Sequence, residues 1–354
     1  MLLIPEKLCG SRRIGITIVF MALRYDKIGD LILESGRTLD SVQIAFETVG
    51  ELAPDKGNVV LVLHGYTSGP DIILPTGEPT EGSWCELIGS GRAIDTDRYF
   101  VICPNAIGST YGSTGPWSPN PDNEKPYGAS FPEITIRDVV DSQHALLHRL
   151  GIKHLVAVVG ASFGGLQALQ WSVSFPEFMH RVVAVAASLG RPSSNAEGIR
   201  KNLAKDPRWN GGDYYEHGNL VETLVPMRVG MLKGFGVEQA LARGIPDPIE
   251  RNAVIERRAR EWARGFDANS LLVLMKIMGT HDVSANLERI RAPVLYVMSR
   301  TDPFFPPTLA ADALKRLREA GVDASYYELD SEKGHSAPTG DAALWAPRLK
   351  DFLT

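Results

Sequence analysis

The stretch LVAVVGASFGGLQALQWSV, Leu155 to Val173, decides how the rest of the chain is read. Its first five residues, Leu155 to Val159, form an unbroken β-rich apolar run, the pattern of a strand buried on both faces of a parallel sheet. From Leu166 to Val173 the periodicity is helical, so Gly160 to Gly165 must turn the chain from strand to helix within a few residues. So tight a turn strains the residue at its apex and crowds that residue's neighbours, which accounts for the glycines on both sides. Ser162 occupies the apex. There it projects from the end of a strand at the start of a helix, where backbone N–H groups and the helix dipole favour negative charge developing on a nearby oxygen. This is the setting of a serine nucleophile; the plainer alternative is a glycine-rich turn with a capping serine.

Val59 to Leu63, Tyr99 to Cys103, Val182 to Ala186 and Val294 to Met298 share the texture of buried parallel strands. Between two of them a helix is marked by Thr135 with Asp138 three residues on, by apolar positions from Ile136 to Leu150, and by Gly151 at its end. Alternating strands and helices define an α/β fold with a mostly parallel sheet. Leu31 to Leu33 and Val42 to Phe46, joined through Ser35-Gly36-Arg37, open it as an antiparallel hairpin. From about Gly190 to Arg289 the rhythm breaks into arginine-rich helical segments such as Ile249 to Phe266, without a buried strand. The expected organisation is a core of residues 21–189 and 290–354 with residues 190–289 inserted as a helical lid. A separate C-terminal domain fits less well, because the tail after residue 289 is too short for its own sheet. Residues 1–20 are expected to be an N-terminal extension with Met21 as the natural start, although the apolar stretch Ile14 to Leu23 after Arg12 and Arg13 faintly imitates a signal peptide.

Composition narrows the function. The 354 residues are 44% hydrophobic and 22% charged, enough apolar material for a sizeable core, and the net charge of -5 provides no basic field for nucleic acid or anionic membranes. Three cysteines, Cys9, Cys85 and Cys103, lack metal-ligand spacing and are odd in number, so no metal, no disulfide framework and a cytoplasmic setting are expected. No cofactor is called for, and the partner expected is a small-molecule ester.

A serine nucleophile needs a base. Of eight histidines, His335 has the right setting: it follows the alternating strand candidate Ala324 to Leu329 near the end of the chain, in the order nucleophile, acid, histidine. His144, His148 and His154 are expected to decorate a helix surface, and His64 to support packing at the end of Val59 to Leu63. For the acid, Asp302 directly follows the buried strand Val294 to Met298; Asp330 is the rival, nearer His335 but in an ordinary polar loop. The oxyanion donors are expected from the backbone N–H of Phe163 and, in the loop His64-Gly65-Tyr66-Thr67, that of Tyr66, though Gly65 can equally mark a simple turn.

Several segments together resemble the homoserine O-acetyltransferase family of α/β-hydrolases, in its esterase-like branch: DTDRYFVIC at Asp95 to Cys103, YGSTGP at Tyr111 to Pro116, TIRDVV at Thr135 to Val140, GASFGGLQALQW at Gly160 to Trp171, FDANS at Phe266 to Ser270 and KGH at Lys333 to His335. The resemblance implies the α/β-hydrolase fold, the triad Ser162, Asp302 and His335, a helical lid, and a homodimer built through that lid. Transferases of this family pass an acetyl group from acetyl-CoA to homoserine, which they hold with groups that include an arginine, a tyrosine and an aspartate after the histidine. Here the arginine falls on Arg228, the tyrosine on Phe235 and the aspartate on Ser336. Arg228 then either binds a substrate carboxylate or is a surface arginine of the lid. Without the aspartate an acceptor's ammonium has no evident partner, and an unpaired charge in a closed pocket is strongly disfavoured. The expectation is therefore a serine hydrolase of small short-chain acyl esters; an acetyl-CoA-dependent O-acetyltransferase acting on homoserine or another alcohol is the alternative. A non-catalytic binding protein is disfavoured because nucleophile, base and acid are all present.

Overall fold

The computed structural model describes residues 23–75 and 82–354. The proposed N-terminal extension, residues 1–20, lies outside the described residues. Among the described residues there are ten strands: β1 (Arg24–Ile32), β2 (Thr38–Val49), β3 (Val59–Leu63), β4 (Ile88–Gly89), β5 (Ile94–Asp95), β6 (Phe100–Pro104), β7 (Ala157–Ala161), β8 (Val182–Val185), β9 (Val294–Ser299) and β10 (Ala324–Leu329). Eight form one sheet in the order β1-β2-β6-β3-β7-β8-β9-β10, while β4 and β5 pair separately. The hairpin β1-β2 and its junction with β6 are antiparallel, and every pairing from β6 to β10 is parallel.

The helices are α1 (Ile136–Arg149), α2 (Phe163–Ser174), α3 (Ala196–Leu203), α4 (Val221–Gly234), α5 (Val237–Ala242), α6 (Pro248–Gly265), α7 (Ala268–Met278), α8 (Thr308–Glu319), α9 (Ala337–Gly340) and α10 (Ala346–Leu353). Thr135 and Asp138 cap α1 reciprocally, each side chain satisfying the other's backbone N–H. Between β8 and β9 the described chain holds α3 to α7 and no strand of the main sheet.

Central strands are almost wholly apolar because both faces are covered: every residue of β3, β8 and β9 is buried, and of these only Ser299, at the end of β9, has a short polar side chain. Their register sets the site. Leu63 pairs with Gly160, Ala161 with Val185, and Leu329 with Ser299, so the loops after β3, β7, β9 and β10 all leave one edge of the sheet together. Ligands in open α/β sheets bind at that edge, beyond the carboxyl ends of the strands.

Candidate active site

Ser162 joins β7 to α2 with φ 58° and ψ −123°, a conformation that an L-residue adopts only under constraint. The constraint is backbone crowding. A Cβ on Gly164 would stand 2.0 Å from the Leu63 carbonyl oxygen, and one on Gly160 would stand 2.2 Å from the Gly164 oxygen. Close approach of this kind explains why α2 begins at Phe163, three residues before its apolar periodicity becomes readable: its first turn holds two glycines, which carry no hydropathy signal. The Ser162 N–H donates to the Val185 carbonyl at 2.9 Å, fastening the elbow to β8.

His335 and Asp302 meet across the ends of β10 and β9. The Nδ1 of His335 lies 2.7 Å from Oδ2 of Asp302, whose other oxygen accepts the backbone N–H groups of Phe304 at 2.8 Å and Phe305 at 3.2 Å. Asp302 is buried. Carboxylate and backbone donors therefore hold Nδ1 as the protonated nitrogen and leave Nε2 as the acceptor. The imidazole is boxed by Phe304, Phe305 and Phe235, with ring centroids 5.3, 5.9 and 5.5 Å away. Asp330 instead faces solvent and pairs with Arg300 at 2.7 Å.

Ser162 and His335 line one pocket, of about 510 Å³ including its open mouth, together with Gly65, Tyr66, Thr67, Ser68, Trp84, Phe235, Ser336 and Thr339. Phe235 closes α4, and the Ser336 hydroxyl donates to the Phe235 carbonyl at 2.8 Å, tying the loop after β10 to the helical segment. Arg228, also on α4, is buried rather than on the surface; its guanidinium sits 4.8 Å above the Trp262 ring, and it is not among the residues lining the Ser162 pocket. Trp262 in turn donates to the Thr67 carbonyl at 3.0 Å. Trp84, Phe304 and Phe305 escape a reading of the sequence, because nothing local marks a residue that reaches a site only through the tertiary fold. His144 is a correction: it stacks on Phe175 at 3.7 Å instead of decorating a surface, and burial lowers its pKa to about 4.

The sheet order and the elbow after β7 define an α/β-hydrolase, and a family model described as alpha/beta hydrolase fold matches residues 58–233. The chain is 36% identical over 350 residues to the homoserine O-acetyltransferase of Geobacter sulfurreducens, covering 92% of this chain and 94% of that protein. It superposes with a TM-score of 0.84 on the crystal structure of homoserine O-acetyltransferase from Bacillus anthracis, at 27% identity over 94% of this chain and 98% of that one. It matches esterase E22 with the same TM-score, at 26% identity over 95% of this chain and 100% of that one. The chain belongs to the homoserine O-acetyltransferase family of α/β-hydrolases.

Proposed function

We propose that Ser162 accepts a short acyl group, acetyl above all, from an activated donor and passes it to an oxygen acceptor. The observation that carries this is the buried Asp302–His335 pair, whose imidazole opens onto the same pocket as the strained Ser162. In the first half-reaction Oγ of Ser162 attacks the acyl carbonyl, His335 Nε2 takes its proton and gives it to the departing group, and the donor's bond to the acyl carbon breaks. In the second half the acceptor oxygen attacks the acyl-serine, again losing its proton to His335, and Ser162 is restored. Backbone N–H groups of Phe163 and Tyr66 receive the oxyanion in both halves.

Kinship favours a hydroxyl as the acceptor, through the name that the curated relatives carry, and so supports the acetyl-CoA-dependent transferase over the hydrolase. Hydrolysis of small esters keeps one specific support: at Ser336, where the resemblance places an aspartate, the side chain is an uncharged hydroxyl that donates to the Phe235 carbonyl and cannot neutralise an ammonium group. The acceptor that reconciles both is an alcohol without a charged amine, with water competing for the acyl-serine. Supplying acetyl-CoA with homoserine, with neutral alcohols and with neither, beside simple acetate esters, tests this. O-acetylhomoserine as the dominant product removes the restriction on the acceptor; acetate alone, whatever alcohol is present, leaves the hydrolase. The same proposal places the helices between β8 and β9 as a lid and as the seam of a homodimer, which light scattering of the purified chain measures.

A further inference from the structure

Beneath the pocket lies a buried polar chain that the reaction above does not use. His64, at the end of β3, is 1% exposed, and Gln143, Gln167 and Trp171 are fully buried. The Trp171 indole can only donate, and it donates to Oε1 of Gln143 at 2.8 Å. That fixes the Gln143 amide, whose Nε2 donates to Oε1 of Gln167 at 2.7 Å. The Gln167 amide is fixed in turn, and its Nε2 reaches the carbonyls of His64 at 3.4 Å and Phe163 at 3.3 Å. One side chain thus bridges the two backbone segments that carry the proposed oxyanion donors.

The His64 ring completes the arrangement. Its Nε2 accepts the Ala106 N–H at 3.0 Å, so Nδ1 bears the proton and donates to the Gly65 carbonyl at 2.7 Å. In a planar trans peptide the carbonyl of one residue and the N–H of the next point in opposite directions. Gripping the Gly65 oxygen therefore aims the Tyr66 N–H the other way.

We propose that His64 and the Gln143–Gln167–Trp171 chain are positioning residues that set the two oxyanion donors, His64 by orienting the Gly65–Tyr66 peptide and Gln167 by holding the β3 and α2 ends together. The proposal rests on the acyl-serine reading above. Neither side chain touches substrate; both act through the backbone they hold. Gln167 belongs to the motif GASFGGLQALQW, and its amide reaches the His64 carbonyl, the segment against which Gly164 also packs.

The test compares His64→Leu, Gln167→Met and His64→Asn with the parent, using p-nitrophenyl acetate as substrate and ethylboronic acid as a probe whose tetrahedral serine adduct needs the oxyanion donors. His64→Leu removes both ring bonds. It should lower kcat about a hundredfold, the scale of one lost oxyanion donor, with KM within about threefold of the parent, and weaken the boronate in the same proportion. Gln167→Met should fall in the same direction by about tenfold or more. His64→Asn keeps a donor where Nδ1 stands and should remain within about tenfold of the parent. A folded His64→Leu that keeps both kcat and boronate affinity overturns the proposal. If His64→Leu does not fold, His64→Asn decides alone, since a hundredfold loss in that folded variant overturns the proposal as well. A parent whose turnover survives Ser162→Ala would instead overturn the acyl-serine reading and this proposal with it, so the two failures are distinguishable.

Discussion

Replacing Asp302 by asparagine tests the hydrogen-bond logic of the site most sharply, because the structure dictates how the new amide must sit. The Oδ1 of Asp302 accepts two backbone N–H groups, from Phe304 and Phe305, and only an oxygen can stay there. In Asp302→Asn the amide oxygen therefore keeps that place and the NH2 group turns toward His335 Nδ1, now 2.7 Å from a carboxylate oxygen. Two donors cannot share that contact, so the imidazole shifts its proton to Nε2, the nitrogen that takes the proton of Ser162 in the proposed reaction. The loss expected from the wrong tautomer in a triad of this kind is about 10⁴ in kcat, or about 5.5 kcal/mol in the barrier. Asp330→Asn should change kcat less than about twofold, since Asp330 is exposed and its partner is Arg300. The assay is steady-state turnover of p-nitrophenyl acetate, with a melting curve to show that both variants fold. Asp302→Asn within about tenfold of the parent, or a larger loss in Asp330→Asn, would show that Asp302 does not set the tautomer of His335.

Further expectations follow from packing, from pH and from the acceptor side. Gly164→Ala should destabilise the chain by about 3 kcal/mol or prevent folding, because the added Cβ meets the Leu63 backbone at 2.0 Å; a variant with the parent's melting temperature would contradict this. Burial lowers the pKa of His64 and of His281 to about 4. Unfolded histidine takes a proton near its ordinary value of about 6.5, so the unfolded state binds more protons between those values and stability falls as pH drops through that window, by about 3 kcal/mol for each residue. Asp71 and Asp267, whose pKa values burial raises, oppose the trend at its acid end. Urea midpoints between about pH 7 and about pH 4.5 check the sign, and a flat profile would contradict it. The paired change Phe235→Tyr and Ser336→Asp should raise O-acetylhomoserine relative to acetate in one reaction, where both products share the acyl-serine; the gain is limited by the Ser336–Phe235 hydrogen bond that it removes, and an unchanged ratio would count against the acceptor argument.

What could be read in advance depended on how local its cause is. The elbow was legible because two periodicities meet at Ser162, and α1 because Thr135 and Asp138 are three residues apart. Strand β3 was readable to the residue, since continuous burial leaves an unbroken apolar run. Asp302 stood out from Asp330 through its place after a buried strand, and the structure puts it 2.7 Å from His335. The true start of α2 was hidden by glycines, whose presence answers to the backbone of β3, about a hundred residues earlier in the chain. The boundary of the hairpin shifted for a similar reason: β1 and β2 pair from Arg24 to Phe46 through register shifts around Gly29, which blur the alternation. The aromatic box around His335 and the link from Gln167 to the His64 carbonyl arise only when distant segments meet, so no spacing announces them.

Acyl transfer through Ser162 would leave a covalent trace that mass spectrometry of the protein, quenched in acid during turnover of p-nitrophenyl acetate, reads directly. An added acetyl group is expected on the peptide that contains Ser162, absent in Ser162→Ala, and lost at the rate of turnover when substrate is removed. An acetyl group that resides on another residue, or continued turnover by Ser162→Ala within about tenfold of the parent, would contradict acyl transfer through Ser162.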